Sequence, residues 1–182
     1  MRLALLGIGI VLLMIGGANG QSVSDPDLVR QLQRLFPTAA SFSPKGGSPA
    51  VYKALGAAKS GQTGEPLGLA YWTTEVEPLE RGFDGPIKML VGMNMAGILT
   101  GIIVTENREP YGYFSVDLPE FATQFKSKNI RDGFKVGVDV DAISRATISV
   151  TSASRAIRNS SRKVARAYLT PAGSTAPAAA VQ

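Results

Sequence analysis

The chain has no cysteine and no histidine in 182 residues. Without imidazole there is no His-based triad, and without a thiol there is no cysteine nucleophile. The two absences together remove the usual zinc ligand sets and haem ligation by either side chain. No disulfide can form, so stability has to come from packing alone. Glu75, Glu77 and Glu80, or Glu106 and Glu109, are close enough in sequence for a carboxylate-only metal site. Such clusters are most often solvated loop charges, and no metal is expected. A Gly-x-Gly-x-x-Gly fingerprint after a strand is also missing, so no Rossmann assignment is warranted. There is no internal repeat and no DNA-reading motif, and no nucleic-acid partner is expected. Redox work, if the protein does any, must come from a bound cofactor.

The N-terminus has Arg2, an apolar stretch from Leu3 to Ile15, and the small residues Gly16-Gly-Ala-Asn-Gly20 before Gln21. This pattern predicts a signal peptide over residues 1–20. The apolar run is shorter than the roughly 20 residues that span a bilayer, which favours cleavage. A retained leader would instead anchor the protein to the membrane. No cysteine stands after it to carry a lipid. The formal charge of +5 falls to +4 when Arg2 is removed. The rest of the chain is long enough for one ordinary core, so one domain is expected over residues 21–169. Residues 170–182, rich in Ala, Pro, Ser and Thr, lack core-forming side chains and are expected to be disordered.

Along that domain, Asp25-Pro26-Asp27 and the stripe Leu28, Leu32 and Leu35 predict a short helix ending at Pro37. Residues 41–64, broken by several glycines and prolines, read as loop with room for one strand. The runs Leu67–Val76, Ile87–Met93 and Ile98–Thr105 read as strands, the last two joined by a hairpin loop, Asn94–Gly97. Leu118-Pro119-Glu120 with Phe121 and Phe125 predicts another short helix, stopped by Asn129 and Gly133. The fold class expected is α+β, an antiparallel sheet with segregated helices.

One segment carries chemistry. Val136, Val138 and Val140 alternate with Gly137 and Asp139, which predicts a short strand ending near Asp141. Val150, Ala153, Ile157, Val164 and Tyr168 then recur at helical spacing, with Arg155, Arg158, Arg162, Lys163 and Arg166 mostly between them. Between strand and helix lie Ser144, Thr147, Ser149, Thr151 and Ser152, the residue types that satisfy free N–H groups at a helix start. A helix N-terminus also receives phosphate, and a hydroxyl there can carry a phosphoester.

Asp141-Ala-Ile-Ser-Arg-Ala-Thr147 resembles the flavinylation motif of the FMN-binding domain family: Asp, two variable residues, Ser or Thr, usually Gly, then Ala-Thr. The resemblance implies FMN joined through its phosphate to the Thr147 hydroxyl by a flavin transferase that uses FAD as donor. Asp141, Ser144 and Ala146 match the motif position by position, and Ser149 lies just beyond in the hydroxyl run. Arg145 stands where the family usually has glycine, and a long cationic side chain there bears on transferase access and backbone angles. Glu80–Met93, Gly97–Thr105 and Glu109-Pro110, with Leu35–Ala39 and Tyr71–Thr74 upstream, look like the periplasmic N-terminal domain of NosR/NirI-type regulators associated with denitrification. Related flavin domains occur in Rnf and sodium-pumping quinone reductase subunits. The similarity runs over roughly residues 27–169 and implies a periplasmic electron carrier with a redox partner protein, membrane-bound in some of these systems. It also leaves open a non-redox binding or maturation module.

Each of these residues has a plainer reading. Asp141 can simply end a strand, or it can help position the transferase's substrate or metal during modification. Glu109 and Pro110 read as a strand end, which the resemblance puts near the flavin. Tyr111, Tyr113 and Phe114 either bury one face or flank an isoalloxazine ring, with core packing expected for at least one. Trp72 reads as core. The arginines of the last helix read as a solvated face, or as a surface for an acidic redox partner or anionic lipid.

Overall fold

Asp25 opens the first helix, α1 (Pro26–Leu35): its side chain accepts from the Asp27 N–H at 2.9 Å, and Pro26 has no N–H to leave unpaired. Pro37 stops the helix one residue after Phe36, whose N–H bonds the Leu32 carbonyl. This computed structural model describes residues 23–58, 62–144 and 147–169. The predicted leader and tail, Arg145 and Ala146 lie outside the described residues.

Five strands come next: β1 (Ser41–Phe42), β2 (Tyr52–Leu55), β3 (Pro66–Trp72), β4 (Lys88–Asn94) and β5 (Leu99–Glu106). They form one antiparallel sheet in chain order, so the fold is α+β. Residues 41–64 thus supply two strands, one more than their sequence predicts. The run Leu67–Val76 divides, because β3 ends at Trp72 and Thr73–Val76 forms a helical turn, α2. Thr73 explains the change. Trp72 pairs with Leu90, and at the next step the buried Thr73 hydroxyl takes the Met89 N–H at 3.1 Å in place of a backbone carbonyl. The same hydroxyl donates to the Ile87 carbonyl at 3.3 Å. In the hairpin between β4 and β5, the Asn94 side-chain oxygen accepts from the N–H groups of Ala96 and Ile98.

Both faces of the sheet are covered, which is why β4 is apolar almost throughout. On one face Leu69, Tyr71, Met89, Val91 and Met93 pack against the last helix, α4 (Thr147–Tyr168), through Val150, Ala153, Ile157 and Val164. Phe121 and Phe125, carried by and just after α3 (Pro119–Thr123), complete this core with rings 5.0 Å apart, edge to face. On the other face Ala54, Ala70 and Leu90 meet Leu32 and Leu35 of α1 and Phe36 just after it. Trp72 is half-buried on this second side, with Lys88 Nζ 5.1 Å from its ring centroid. Close approach of α1 depends on Gly68, where a Cβ would stand 2.4 Å from the Phe36 ring.

The inner face of α4 is finely graded in size, with buried Ser149, Ser152, Ser154, Ser160 and Ser161 among the alanines and branched residues. The fully buried Tyr71 hydroxyl donates to Ser161 Oγ at 2.7 Å, and Ser161 donates to the Ile157 carbonyl at 2.6 Å. Burial pushes the Tyr71 hydroxyl pKa well up, and the Ser161 bond only partly opposes this. Tyr71→Phe removes one half of this pair and leaves Ser161 satisfied. It is expected to lower stability by about 1 kcal/mol, seen as a lower urea midpoint at unchanged slope.

The basic outer face of α4 is largely exposed, as read, and its cations also reach neighbouring loops. Arg155 pairs with Glu80 at 2.7 Å, and Lys163 reaches the Val76 carbonyl at 2.9 Å and Glu77 at 3.6 Å. Arg162 donates to the carbonyls of Ile130 at 2.7 Å and Asp132 at 2.9 Å. These cations pin connecting loops onto the helix. The acidic residues Glu75, Glu77 and Glu80 are taken up in the same way, each facing a lysine or arginine.

The segment Val136–Val140 is a tight loop, and the predicted strand is absent there. Only a single parallel bridge joins Val136 to Val140, and the N–H groups of Val138, Asp139 and Val140 all point to the Lys135 carbonyl. Gly137 turns the chain at φ +78, and Val138 is 74% exposed. Asp139 organises the loop: its carboxylate accepts from Phe134 N–H at 2.9 Å, Lys135 N–H at 2.6 Å and Lys128 Nζ at 3.3 Å. Burial opposes the charged form, but the N–H groups of Lys135 and Phe134 and the Lys128 ammonium outweigh it and hold the carboxyl below its usual range.

Because the folded pKa lies below the unfolded one, Asp139 stabilises fully above the unfolded value of roughly 3.9. That contribution is lost as pH falls through the folded value. Asp139→Asn is expected to cost about 1 to 2 kcal/mol at neutral pH. It should also flatten the acid limb of the stability curve, measured by urea unfolding across pH. Equal acid sensitivity in parent and variant would count against this account.

Candidate functional site

Thr147 is the first residue of α4 and is exposed. Two open grooves meet at it. One, of about 680 Å³, is walled by residues 136–142, including Asp141. The other, of about 280 Å³, runs along Ile148, Thr151, Ser152 and Arg155. A hydroxyl placed there sits beside the unpaired N–H groups of a first helical turn, which favour an anion.

Asp141 is exposed, and its carboxylate accepts from the Ile143 N–H at 2.9 Å. Its backbone is gripped by Gln124, whose side-chain oxygen takes the Asp141 N–H at 2.6 Å while its amide donates to the Asp141 carbonyl at 3.1 Å. The chain then turns sharply, with Ile143 at φ +61 and the Ser144 N–H 2.6 Å from the Ala142 carbonyl. Ser144 is half-buried. Ala146, also a predicted site residue, lies outside the described residues, as does Arg145.

Ser149 and Glu109, forty positions apart, come together. The buried Ser149 hydroxyl donates to the Glu109 carboxylate, which is itself only 7% exposed. The same carboxylate accepts from the N–H groups of Phe83 at 3.0 Å and Asp84 at 3.1 Å. It therefore fastens the loop before β4 to the first turn of α4. Gly82 permits the approach, since a Cβ there would lie 2.3 Å from Glu109 Oε1. Glu80 adds a second fastening further along, accepting from Arg155 and, at 3.1 Å, from Asn159.

Glu109 and Pro110 do not end a strand: β5 stops at Glu106, and Asn107 carries the chain round by accepting the Glu109 N–H at 3.0 Å. The next aromatic residues along the chain are another departure. Gly112–Phe114 forms a 3-10 turn, so no period-two face exists, and Gly112 is the buried member. Tyr111, Tyr113 and Phe114 are 62%, 59% and 54% exposed, and none is in the core. Phe83, on the other loop held by Glu109, is 69% exposed, and Ile148 beside Thr147 is 58% exposed. Aromatic and apolar side chains from three segments thus stand in solvent around one buried carboxylate.

Sequence reasoning did not single out Gly82, Phe83, Asp84, Gln124 or Ile148. The run Gly82-Phe-Asp-Gly85 carried the available signal, glycines bracketing an exposed aromatic residue next to a close backbone approach. Among the described residues no group of three or more acidic side chains is arranged to hold a metal. No helix among them is long and apolar enough to cross a membrane.

None of the curated proteins matches the chain. Residues 82–162, from the glycine packed against Glu109 through most of α4, match the family model of the FMN-binding domain, which supports a flavin-binding protein.

Proposed function

We propose that this protein is an exported, periplasmic flavoprotein that carries FMN through a phosphoester on Thr147 and passes electrons between respiratory partners. The observation that carries the reading is the exposed Thr147 hydroxyl at the meeting point of two grooves, within the stretch matched by the FMN-binding domain. The donor set fits the group. A hydroxyl and free helix N–H groups suit a phosphate, the larger groove has the volume of a small-molecule site, and exposed aromatic side chains nearby suit a planar ring. Bound there, FMN would supply one- or two-electron chemistry that the chain's own side chains lack.

In this reading Thr147 is the attachment point, and Asp141, Ser144 and Ala146 form the loop that presents it to a flavin transferase. The Thr147 oxygen forms the new bond to the FMN phosphorus of FAD and gives up its proton, while the bond between the two phosphates breaks and AMP leaves. Ser149 and Glu109 act from beneath, fixing the first turn of α4 and the Phe83 loop against each other. The resemblance to NosR/NirI-type regulators supports a place in a denitrification-related system and a redox partner protein. It points to a carrier more than an enzyme. The leader at residues 1–20 supports export, with membrane anchoring as the consequence if it is retained.

Arg145, in the position usually held by glycine, favours a second reading: a binding or maturation module that does not turn over electrons. Intact-protein mass after coexpression with a flavin transferase tests the first reading, which requires an increment of FMN less water. An unmodified mass removes the covalent claim. A reduction titration separates carrier from module, because a module has no flavin that a physiological partner reduces.

A further inference from the structure

We propose that the apolar surface around Glu109 is the docking face for a redox partner protein whose own contact patch is apolar and rimmed by carboxylates. The inference rests on the carrier reading and names the kind of protein that exchanges electrons there. Glu109 draws three segments together: its carboxylate holds the Phe83 and Asp84 N–H groups and the Ser149 hydroxyl, and Tyr111 follows it in the chain. Leu79, Phe83, Tyr111, Tyr113, Phe114 and Ile148 stand on these segments with more than half of their surface in solvent, Leu79 with 91%. The backbone that carries Phe83 is fixed. The Gly82 N–H bonds the Gly85 carbonyl at 2.7 Å, and Glu80 grips Arg155 and Asn159. A tricyclic ring tethered to Thr147 covers only part of such a surface, so the flavin does not account for all of it.

The charges point to the class of partner. Glu80 and Glu109 are taken up within the protein. Arg81 and Arg108 are exposed, and neither guanidinium has an ion-pair or hydrogen-bond partner among the described residues. The Arg108 guanidinium reaches across to the Phe83 turn, 3.6 Å from where a Cβ on Gly85 would stand. Against these two cations, Asp84 is the one exposed carboxylate on residues 79–85, 107–114 and 147–149. Aromatic residues and arginine are the types enriched where proteins meet, with a charged rim around an apolar centre. Complementary charge speeds the encounter and sets its orientation. A partner seated here meets Ile148, next to the attachment point.

The probes are two small redox proteins of opposite charge, plant-type ferredoxin, which is acidic, and mitochondrial cytochrome c, which is basic. The full chain carrying Thr147→Ala, isotope-labelled and free of flavin, is titrated with each and followed by its amide resonances. Ferredoxin is expected to perturb amides within 79–85, 108–114 and 147–149, more weakly as salt rises, and cytochrome c to leave them unmoved. In the flavin-loaded chain each reduced ferredoxin gives up one electron, so two are oxidised per flavin reduced, with the protons drawn from water. Arg81→Gln with Arg108→Gln is expected to slow this reduction about tenfold at low salt. Phe83→Ser with Tyr113→Ser should slow it at high salt as well. Arg34→Gln with Lys53→Gln makes the same change of charge on α1 and β2 and should leave the rate unchanged.

A chain that acquires no flavin mass defeats the carrier reading and leaves the titration to decide the surface. The docking face is overturned if no amide moves, if the perturbed amides lie elsewhere, or if both probes perturb them alike. It is equally overturned if the Arg81 and Arg108 variant is reduced as fast as the parent, or if the Arg34 and Lys53 variant slows as much. Sedimentation with phosphatidylglycerol vesicles that needs Arg81 and Arg108, without any ferredoxin effect, assigns the surface to lipid instead.

Discussion

Thr147→Ala is expected to abolish flavin attachment completely, leaving an intact mass with no increment and no fluorescence in a denaturing gel. The expectation is total because no neighbouring hydroxyl is placed to substitute. Ser149 is buried and spends its proton on Glu109, so its oxygen is neither accessible nor free. Ser152 is buried as well, and Ser144 is half-buried in the turn before the helix. Thr151 is exposed but lies one turn further in, where the helix N–H groups are already bonded and offer nothing to a phosphate. Thr147→Ser keeps a hydroxyl in the same place and should retain attachment at a reduced level. Flavin that persists at full level on the alanine variant would place the acceptor elsewhere and sink the assignment.

How much of this was legible in the sequence depended on whether the deciding interaction was local. Helices α1 and α4 are encoded by stripes of apolar residues at helical spacing, and β4 and β5 by continuous apolar runs broken by Asn94–Gly97. Thr147 was singled out by its motif. The strand read into Val136–Val140 failed because the N–H groups of Val138, Asp139 and Val140 fold back onto the Lys135 carbonyl while Asp139 holds the Phe134 and Lys135 N–H groups, and valines at period two do not reveal either. Burial of Tyr111, Tyr113 or Phe114 failed for a related reason: a 3-10 turn removes the alternation on which it relied. The bond between Ser149 and Glu109 spans forty residues with no periodic trace, and only folding brings the two together. The loop partners of the α4 cations left no trace in the sequence, because the carbonyls and carboxylates they hold come from distant segments.

That long-range bond is the one whose loss should reach furthest. Glu109→Ala leaves the buried Ser149 hydroxyl and the part-buried Phe83 and Asp84 N–H groups without their acceptor. Each such group costs on the order of 1 kcal/mol or more, and partial rehydration recovers some of it, so a loss of about 2 to 4 kcal/mol is expected. Glu109→Gln keeps the shape and one acceptor oxygen but turns an N–H₂ toward other donors, so it should recover less than half of that loss. Urea unfolding gives the magnitude.

Native-state hydrogen exchange gives the mechanism, because release of the loop predicts faster exchange at the Phe83 and Asp84 amides with the sheet amides little changed. Gly82→Ala provides an independent route to the same state, since its Cβ would displace the carboxylate it now lies beside. If both variants loosen those two amides and also slow flavin attachment, the Phe83 loop and the first turn of α4 operate as one fastened unit. Unchanged exchange at Phe83 and Asp84 in Glu109→Ala would mean that Glu80 and Arg155 hold the loop unaided, and that Glu109 has no positioning role.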